Sequence, residues 1–213
     1  MNANIAIILL MAGSYLVGSL PFGLWVTRAW SGADIRQVGS GNIGTTNVLR
    51  AAGWKAALVV FVLDAGKGAG PVLAAKALTA GAGHASAATA TVLGAGAMAL
   101  LGHTFSVFLG LRGGRGVATG VGVLAGLSWP VGLSGLAVFV VAVLIWRIVS
   151  VASIAGAFST WMLMLAFGQP RAYVIFAAGA AALVIALHAP NIRRLLRGQE
   201  PKIGRRARGG ADE

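Results

Sequence analysis

The sequence predicts an all-α integral membrane protein with seven transmembrane helices, an outer N-terminus and a cytoplasmic C-terminus. Three observations lead to this fold class: the composition, the long uncharged runs and the grouping of the cations. Hydrophobic residues make up 57% of the 213 positions and charged residues 10%, against about 25% charged residues in an average soluble domain. A soluble fold of this length could not bury so much apolar surface, so one membrane domain over residues 1–213 is expected.

Six runs with few or no charges are long enough to cross a bilayer, which requires about 20 apolar residues. They cover residues 5–26, 56–75, 86–109, 116–146, 148–169 and 172–189. The fourth run is long for one crossing, and Ser128, Trp129 and Pro130 near its centre predict a turn that divides it in two. The first run precedes the first positive residue, Arg28, so we expect a retained span rather than a signal peptide.

The distribution of Lys and Arg supports the count of seven. With seven crossings, residues 27–55, 110–115, Arg147 and the C-terminal tail share one side and hold 14 of the 17 cations. Such a bias is typical of cytoplasmic loops, and it disappears if the fourth run crosses only once. The net charge of +12 therefore follows from membrane topology, and no nucleic-acid partner is predicted. Residues 205–213 are expected to form a flexible, charged tail.

Residues 38–44, here called the glycine loop, interrupt the apolar pattern with glycine and small polar residues. Residues 39–44 match G-x-G-x-x-G, but no strand precedes them, so a dinucleotide site is excluded. The glycines free backbone N–H groups, a helix is expected to start near residues 45–47, and Arg50 follows, which together suggest an anion site. The alternative is an ordinary polar turn. The candidate ligands are Gly39, Ser40, Gly41, Asn42, Thr46, Asn47 and Arg50.

Two further polar segments fall on the same predicted face of the membrane. Residues 110–116, the arginine loop, combine four glycines with two arginines and lead into a predicted helix. Residues 188–203, the C-terminal segment, follow the last span. Three donor-rich segments on one face suggest binding of two phosphate groups, or of one phosphate and its leaving partner. The candidate residues in and after these segments are Arg112, Gly113, Gly114, Arg115, Gly116, Thr119, His188, Asn191 and Glu200.

Three ionisable residues lie inside predicted spans. Asp64 and Lys67 are three residues apart and share a helix face. Each costs about 2.5–3.5 kcal/mol at the bilayer centre, so they are expected to face a polar cavity or each other. A structural ion pair and a catalytic role both stay open. His103, at the cytoplasmic end of the third span, is expected in the site or at a helix interface, and no spacing of acids and histidines predicts a metal site.

Five sequence segments that are distributed along nearly the whole chain carry a resemblance to a known family. They are GSLPFG at 18–23, GSGNIGTTNVLRAAG at 39–53, LDAGKG at 63–68, LGHTFSVFLGLRGGRGVATGVG at 101–122 and HAPNIRRLLRGQEPKIG at 188–204. Together they resemble the bacterial acyl-phosphate-dependent glycerol-3-phosphate acyltransferase family of the PlsY type. The resemblance implies a seven-helix enzyme of the bacterial inner membrane with its active site at the cytoplasmic face. It implies transfer of a fatty acyl group from acyl phosphate to the 1-hydroxyl of sn-glycerol 3-phosphate. The products would be lysophosphatidic acid and phosphate, in the first acylation step of phospholipid synthesis.

The resemblance also implies roles for individual residues. Family positions needed for activity correspond to Ser40, Arg50, His188 and Asn191, and a structural glutamate corresponds to Glu200. The arginine loop, together with Thr119, corresponds to the family's phosphate loop. The family usually has lysines where this chain has Arg112 and Arg115. Arginine keeps the positive charge but cannot lend a proton at neutral pH.

The chemistry of this reaction requires chiefly the positioning of two anionic headgroups, because acyl phosphate already has a good leaving group. Either His188 or the leaving phosphate is expected to accept the hydroxyl proton. The acyl chain is expected between the helices, and no cofactor is predicted. One alternative is a transporter of a small phosphorylated metabolite, although the outer loops carry few polar groups. Another is a non-catalytic scaffold whose basic tail binds anionic lipid.

Overall fold

The structure, a computed structural model, describes residues 3–81 and 85–203, and these residues form helices and no strand. The helices are α1 (Ala3–Ser19), α2 (Phe22–Ser31), α3 (Thr45–Thr79), α4 (Ala85–Thr104), α5 (Val117–Leu127), α6 (Trp129–Trp146), α7 (Val149–Ala166), α8 (Arg171–Leu187) and α9 (Ala189–Leu196). Short 3₁₀ turns at Ile35–Gln37 and Val107–Leu109 lie in the connections. The all-helical prediction is confirmed, while the tail predicted at 205–213 lies outside the described residues.

Five segments are long and apolar enough to cross a membrane: Asn4–Ser31, Thr45–Thr79, Ala85–Leu109, Trp129–Trp146 and Val149–Ala166. A sixth forms if α8 and α9, which meet at a bend of 58°, count as one span. The predicted turn at residues 128–130 is confirmed, because α5 ends at Leu127 and α6 starts at Trp129. The remaining predicted crossing corresponds to α5, whose 11 residues reach about 16 Å of a hydrocarbon core of about 30 Å. The count of seven stays a prediction.

The short length of α5 follows from the depth of the arginine loop. Two glycines bring α5 against α3: a Cβ on Gly122 would overlap the carbonyl oxygen of Ala65, and a Cβ on Gly68 would overlap that of Thr119. The first turn of α5 therefore lies beside the middle of α3 rather than beside its start. The arginine loop consequently lies among the helices, in the part of the membrane thickness that a longer α5 would span.

The first predicted span, residues 5–26, lies within the apolar segment Asn4–Ser31, in which the helix is interrupted. α1 ends at Ser19 and α2 begins at Phe22, because Pro21 has no N–H with which to continue the helical hydrogen bonds. α2 then packs directly on the glycine loop, where a Cβ on Gly23 would overlap the carbonyl oxygen of Ile43. The break thus determines the direction of the helix that supports the glycine loop.

Two apolar clusters support the two loops. The first joins α2, the 3₁₀ turn and the start of α3, and its buried members are Leu24, Ile35, Ile43, Val48, Ala56, Ala57 and Val60. The second lies among α3, α4, α5 and their neighbours, and includes Val72, Val92, Ala95, Ala99, Leu100, Val123 and Leu124. α3 belongs to both clusters, and the kink at Gly53, whose φ is 83°, falls within its contribution to the first cluster. A single long helix therefore links the supports of the two loops.

Candidate active site

One buried side chain, that of Asn47, organises the glycine loop. Its Nδ2 donates to the backbone carbonyl oxygens of Ile35 (3.1 Å), Val38 (2.8 Å) and Asn42 (2.9 Å). Its Oδ1 accepts from the backbone N–H of Ser40 at 3.3 Å. Because the amide is engaged within the loop, Asn47 shapes the anion site. The ligand contact predicted for it from the sequence stays a prediction.

The helix start predicted at residues 45–47 is confirmed, since α3 begins at Thr45. Its N-cap, Gly44, has no side chain to cap the first N–H groups, so these donors are directed at the loop. Asn42 Oδ1 accepts from the Gly44 N–H at 2.8 Å and closes the turn. Ser40 and Arg50 are exposed beside it. The glycine loop therefore presents backbone, hydroxyl and guanidinium donors at one surface.

The glycines of this loop permit a conformation that other residues rarely adopt. Gly39 and Gly41 have φ values of 58° and 67°, in the left-handed region. Gly39 also lies against the side chains of Asn47 and Arg50. Thr46, in the first turn of α3, is half-buried. The loop is thus folded tightly around Asn47, and the N–H groups of Ser40, Gly41 and Gly44 bond within it.

The arginine loop is built on the backbone of α4. The N–H of Gly113 donates to the carbonyl oxygen of Thr104 (2.9 Å), and the N–H of Gly114 donates to that of His103 (3.0 Å). A Cβ on Gly113 would overlap the His103 carbonyl oxygen, and a Cβ on Gly114 would overlap the His103 imidazole. His103 is 3% exposed. It forms the floor of the arginine loop, and a part in binding stays a prediction.

The arginine loop leads into a second uncapped helix start. Gly116, with φ 77°, is the N-cap of α5 and offers no side chain to its first N–H groups. The N–H groups of Val117, Ala118 and Thr119 therefore point back to the loop. Thr119 Oγ1 is buried and has no hydrogen-bond partner among the described residues. Both loops thus end at a helix N-terminus whose donors suit an anion.

The tautomer of His188 can be assigned from its surroundings. His188 lies at the junction of α8 and α9 and is 2% exposed. Its Nδ1 lies 2.7 Å from the carbonyl oxygen of Val184. Because a carbonyl oxygen only accepts hydrogen bonds, Nδ1 carries the proton and Nε2 of the neutral ring has the lone pair. His188 is therefore able to accept a proton at Nε2.

Glu200 orients Asn191 in the C-terminal segment. Asn191 Nδ2 donates to Glu200 Oε1 at 2.6 Å, and Arg194 Nε donates to Oε2 at 2.7 Å. Burial raises the pKa of Glu200, but the hydrogen bonds from Asn191 and Arg194 outweigh burial and hold the pKa below its usual value. The buried Oδ1 of Asn191 has no partner in the described chain. An acceptor is therefore left for a substrate hydroxyl.

The three predicted segments meet around Arg115, which is half-buried. Burial lowers the pKa of Arg115, and the charges of Arg194 and Arg50 lower it further, while Glu200 acts in the opposite direction. Arg115 and Glu200 also interact electrostatically with His188. Arg50 of α3, Arg115 of the arginine loop and Arg194 of the C-terminal segment thus lie close enough to act on one another electrostatically.

Asp64 and Lys67 form a buried ion pair beneath this site. Lys67 Nζ lies 2.8 Å from Asp64 Oδ1, and both side chains are 2% exposed. Lys67 Nζ also donates to the carbonyl oxygen of Leu20 at 2.8 Å and lies 5.6 Å from the centre of the Phe22 ring. Because these groups enclose the ammonium, the geometry is that of a structural pair. No three metal-ligating side chains come together in residues 3–81 and 85–203.

Some predicted and unpredicted residues lie at the edges of the site. Arg112 is exposed at its rim. Ser150 was missed from the sequence: it is 4% exposed in the first turn of α7 and acts on Glu200. The N–H of Ile203 donates to the carbonyl oxygen of Arg147 at 2.8 Å, which ties the C-terminal segment to the start of α7. The only sequence signal for Ser150 was a polar residue just after Arg147 in an apolar stretch.

An apolar groove extends from the arginine loop into the helix bundle. It starts at Gly116 and runs between α4, α5, α6, α7 and α8. Its lining includes Leu100, Val121, Leu124, Phe139, Ala157, Ala181 and Val184. Small residues such as Gly120 and Gly156 open it between the helices. The groove has the shape and chemistry for an alkyl chain whose polar end lies at the arginine loop.

Sequence comparison relates the chain to a known family. The family model described as glycerol-3-phosphate acyltransferase matches residues 8–198. A protein of that name from Synechococcus sp. (strain JA-3-3Ab) is 44% identical over 206 residues, which cover 97% of this chain and 98% of the relative. Another from Caulobacter vibrioides (strain NA1000 / CB15N) is 43% identical over 196 residues, which cover 92% and 87%.

Structure comparison agrees with the sequence comparison. The crystal structure of PlsY, an integral membrane glycerol 3-phosphate acyltransferase, in its glycerol 3-phosphate form has a TM-score of 0.85 at 37% identity, over 93% of this chain and 96% of that one. Its lysophosphatidic acid form has a TM-score of 0.83 at 36% identity, with the same coverage. Both kinds of similarity extend over almost the whole chain. The chain therefore belongs to the glycerol-3-phosphate acyltransferase family of integral membrane enzymes.

Proposed function

We propose that this protein transfers a fatty acyl group from acyl phosphate to the 1-hydroxyl of sn-glycerol 3-phosphate, giving lysophosphatidic acid and phosphate. One observation carries the choice of donor: the apolar groove starts at Gly116 of the arginine loop. A phosphate on that loop and an alkyl chain in the groove correspond to the two ends of an acyl phosphate. The transporter alternative has no support, because the relatives reported above are acyltransferases.

The arginine loop would bind the acyl phosphate. The free N–H groups at the start of α5 supply backbone donors for its phosphate. Arg115 adds a guanidinium that can bind two oxygens at once, and Thr119 adds a hydroxyl that has no partner in the described residues. Arg112 at the rim would attract the anion from solution.

The glycine loop would bind the phosphate of glycerol 3-phosphate. The N–H groups at the start of α3, the hydroxyl of Ser40 and the guanidinium of Arg50 form the cradle. Asn191 would accept a hydrogen bond from the glycerol hydroxyl at Oδ1, because its Nδ2 is already engaged by Glu200. The two phosphates would then lie on neighbouring loops, with the hydroxyl facing the acyl carbon.

The reaction exchanges one bond to the acyl carbon for another. The glycerol oxygen attacks this carbon, the bond from the carbon to the phosphate oxygen breaks, and phosphate leaves. We propose that the leaving phosphate takes the hydroxyl proton, and Nε2 of His188 is the competing base. No metal or organic cofactor takes part in this scheme.

The base is tested by the pH dependence of kcat in His188→Ala and His188→Gln. If phosphate is the base, at least one variant retains kcat within about a hundredfold of the wild type, with an unchanged pH profile. A loss of about 10³-fold or more in both, with substrate binding intact, is the size of a general-base effect. That result would assign the proton to His188.

The membrane arrangement is part of the proposal. α5 is taken as the seventh crossing, with the N-terminus outside, the C-terminus inside and the site at the cytoplasmic face of the bacterial inner membrane. The bias of the cations supports this orientation. The chain has no cysteine, so single cysteines at Gln37, Leu111 and Arg171 can be labelled selectively. We expect Gln37→Cys and Leu111→Cys to react from the cytoplasm and Arg171→Cys from outside. Labelling of the first two from opposite sides would end the proposal.

The activity is tested with purified protein, a long-chain acyl phosphate and radiolabelled glycerol 3-phosphate. We expect labelled lysophosphatidic acid and an equal amount of inorganic phosphate. The same acyl chain on coenzyme A is the donor control and should give no product. Product from the coenzyme A thioester alone would show that the donor is wrong, and the absence of product from either donor would contradict the enzyme assignment. Membrane lipid and the two substrates are the partners that this function requires.

A further inference from the structure

α3 uses two lysines to bind carbonyl oxygens at breaks in other helices. Lys67 Nζ donates to the carbonyl oxygen of Leu20 at 2.8 Å, at the break between α1 and α2. Lys76 Nζ donates to that of Leu127 at 2.9 Å, at the break between α5 and α6. A carbonyl released by a broken helix inside a membrane has no water with which to bond. Each lysine therefore caps a helix end, although the Leu20 oxygen also accepts from the N–H of Phe22 at 3.1 Å.

The cap made by Lys67 is connected to the glycine loop. It fixes the last residue before Pro21, and α2, which follows, lies against the backbone of Ile43. A second side chain caps the same break, because Ser106 Oγ donates to the carbonyl oxygen of Ser19 at 2.6 Å. The direction of α2, and with it the place of the glycine loop, depends on these two caps.

The partner of Lys67 is connected to the arginine loop. Asp64 Oδ1, which pairs with Lys67, also lies 4.0 Å from Nδ1 of His103. His103 is the floor on which Gly113 and Gly114 lie. The buried pair thus stands between the helix break on one side and the arginine loop on the other.

We propose that Lys67 is a positioning residue that fixes the glycine loop relative to the arginine loop and does not contact substrate. The enclosure of its ammonium by Asp64, Leu20 and Phe22 leaves it no face toward the site. This inference rests on the proposed function, in which the glycine loop binds glycerol 3-phosphate. It assigns the residue an effect on the acceptor substrate rather than on the donor.

The main test is a double variant, Lys67→Met with Asp64→Leu. The two charges are removed together, because a single change would leave a buried charge without a partner. We expect the KM for glycerol 3-phosphate to rise about tenfold or more, since displacements of about 1 Å cost up to about a hundredfold. The KM for acyl phosphate should rise by a clearly smaller factor, because the arginine loop keeps its two hydrogen bonds to the backbone of α4 when His103 loses its contact with Asp64.

The chain offers a matched control in Lys76→Met. This change removes the same kind of cap from the same helix, but the carbonyl of Leu127 does not support either loop. We expect a lower thermal stability and wild-type KM values for both substrates. The wild type and this variant must both form lysophosphatidic acid. If neither forms it, the proposed function fails. If both form it but the KM values of the double variant do not change as expected, the inference about Lys67 fails.

Ser106→Ala gives a second test that changes no charge. It removes the other cap at the Pro21 break, and the KM for glycerol 3-phosphate should rise in the same direction by a smaller factor. If Lys67 contacted phosphate directly, Ser106→Ala would leave this KM unchanged while the double variant raised it. That pattern overturns the inference. Equal changes in the KM of both substrates, or no change in either variant, overturn it as well.

Discussion

The glycine loop is held from within by one side chain, whereas the arginine loop is held from below by the backbone of α4. In the first, Asn47 binds four backbone groups around itself. In the second, two glycine N–H groups bond to the last turn of α4 and no side chain takes that place. Both loops end at a helix N-terminus with no side-chain cap.

Because of this difference, the two loops should tolerate different kinds of substitution. The chemistry of a single side chain decides the shape of the glycine loop, because Asn47 is both donor and acceptor there. Space decides the shape of the arginine loop, because Gly113 and Gly114 touch His103. The glycine loop should therefore be sensitive to a change of polarity, and the arginine loop to a change of volume.

The largest effect is expected from a methyl group in the arginine loop. Gly113→Ala and Gly114→Ala should each lower kcat/KM by about 10²–10³-fold, because the loop must move away from the position of its phosphate. The added methyl group would overlap a backbone carbonyl oxygen in Gly113→Ala and the side chain of His103 in Gly114→Ala. Adding His103→Ala should therefore restore activity to Gly114→Ala but not to Gly113→Ala, as measured by kcat/KM of the purified proteins.

His103→Ala alone is the control for this pair, and its own loss of activity is the limit that the rescued variant can reach. Thermal unfolding of each variant separates movement of the loop from loss of the fold. If His103→Ala restored activity equally to Gly113→Ala and Gly114→Ala, this would contradict the inference that the His103 side chain limits the space only at Gly114. So would wild-type activity of Gly114→Ala.

The next effect is expected at Asn47. Asn47→Asp keeps the shape but replaces the donor Nδ2 with an oxygen that faces three carbonyl oxygens. Asn47→Ala only leaves those carbonyls without a partner. We expect kcat/KM for glycerol 3-phosphate to fall about 10²-fold in Asn47→Ala, and further in Asn47→Asp because repulsion and a buried charge are added. An Asp variant more active than the Ala variant would be the contrary result.

Local features of the sequence predicted much of this architecture. The helix that starts at Thr45 and the turn at residues 128–130 were predicted because glycine, proline and small polar residues act on their immediate neighbours. The placement of the three polar segments on one face of the membrane was predicted from topology, since cations collect on one side of a membrane, and it stays a prediction. These predictions needed no knowledge of which helices touch.

Contacts between distant residues could not be predicted in this way. The caps at the Pro21 break come from Lys67 and Ser106, which are 47 and 87 residues away from the carbonyls they bind. For the same reason a buried asparagine could not be distinguished from a ligand, although Asn47 lies in the right stretch. A polar residue in a loop signals function, but its direction is decided by partners elsewhere in the chain.

A smaller effect is expected where this chain departs from the family, at Arg115. Burial and the charges of Arg194 and Arg50 lower the pKa of Arg115. The same surroundings would act on a lysine, whose ordinary pKa of about 10.4 is lower than that of arginine. Arg115→Lys should therefore keep kcat/KM within about tenfold near pH 7 and lose activity at a lower alkaline pH than the wild type. Identical alkaline limbs in pH profiles of kcat/KM would contradict this.

The smallest effect is expected from the acid titration of Glu200, which accepts hydrogen bonds from Asn191 and Arg194 within the C-terminal segment. Its pKa is lower in the folded protein than the ordinary 4.5, because hydrogen bonds from Asn191 and Arg194 outweigh the opposing effect of burial. A carboxylate of this kind contributes its full stability above pH 4.5 and loses this contribution as the pH falls through the lower pKa of the folded protein.

Unfolding temperatures of the wild type and of Glu200→Gln should therefore differ most near neutral pH, by about 2–4 °C for each kcal/mol lost. The difference should narrow below the ordinary carboxyl pKa, since the wild type then loses the same charge. The contrary result is a difference in unfolding temperature that stays constant from about pH 7 to about pH 3. Glu200 would then contribute through packing, and the hydrogen bonds to its carboxylate would not be what holds Asn191 in place.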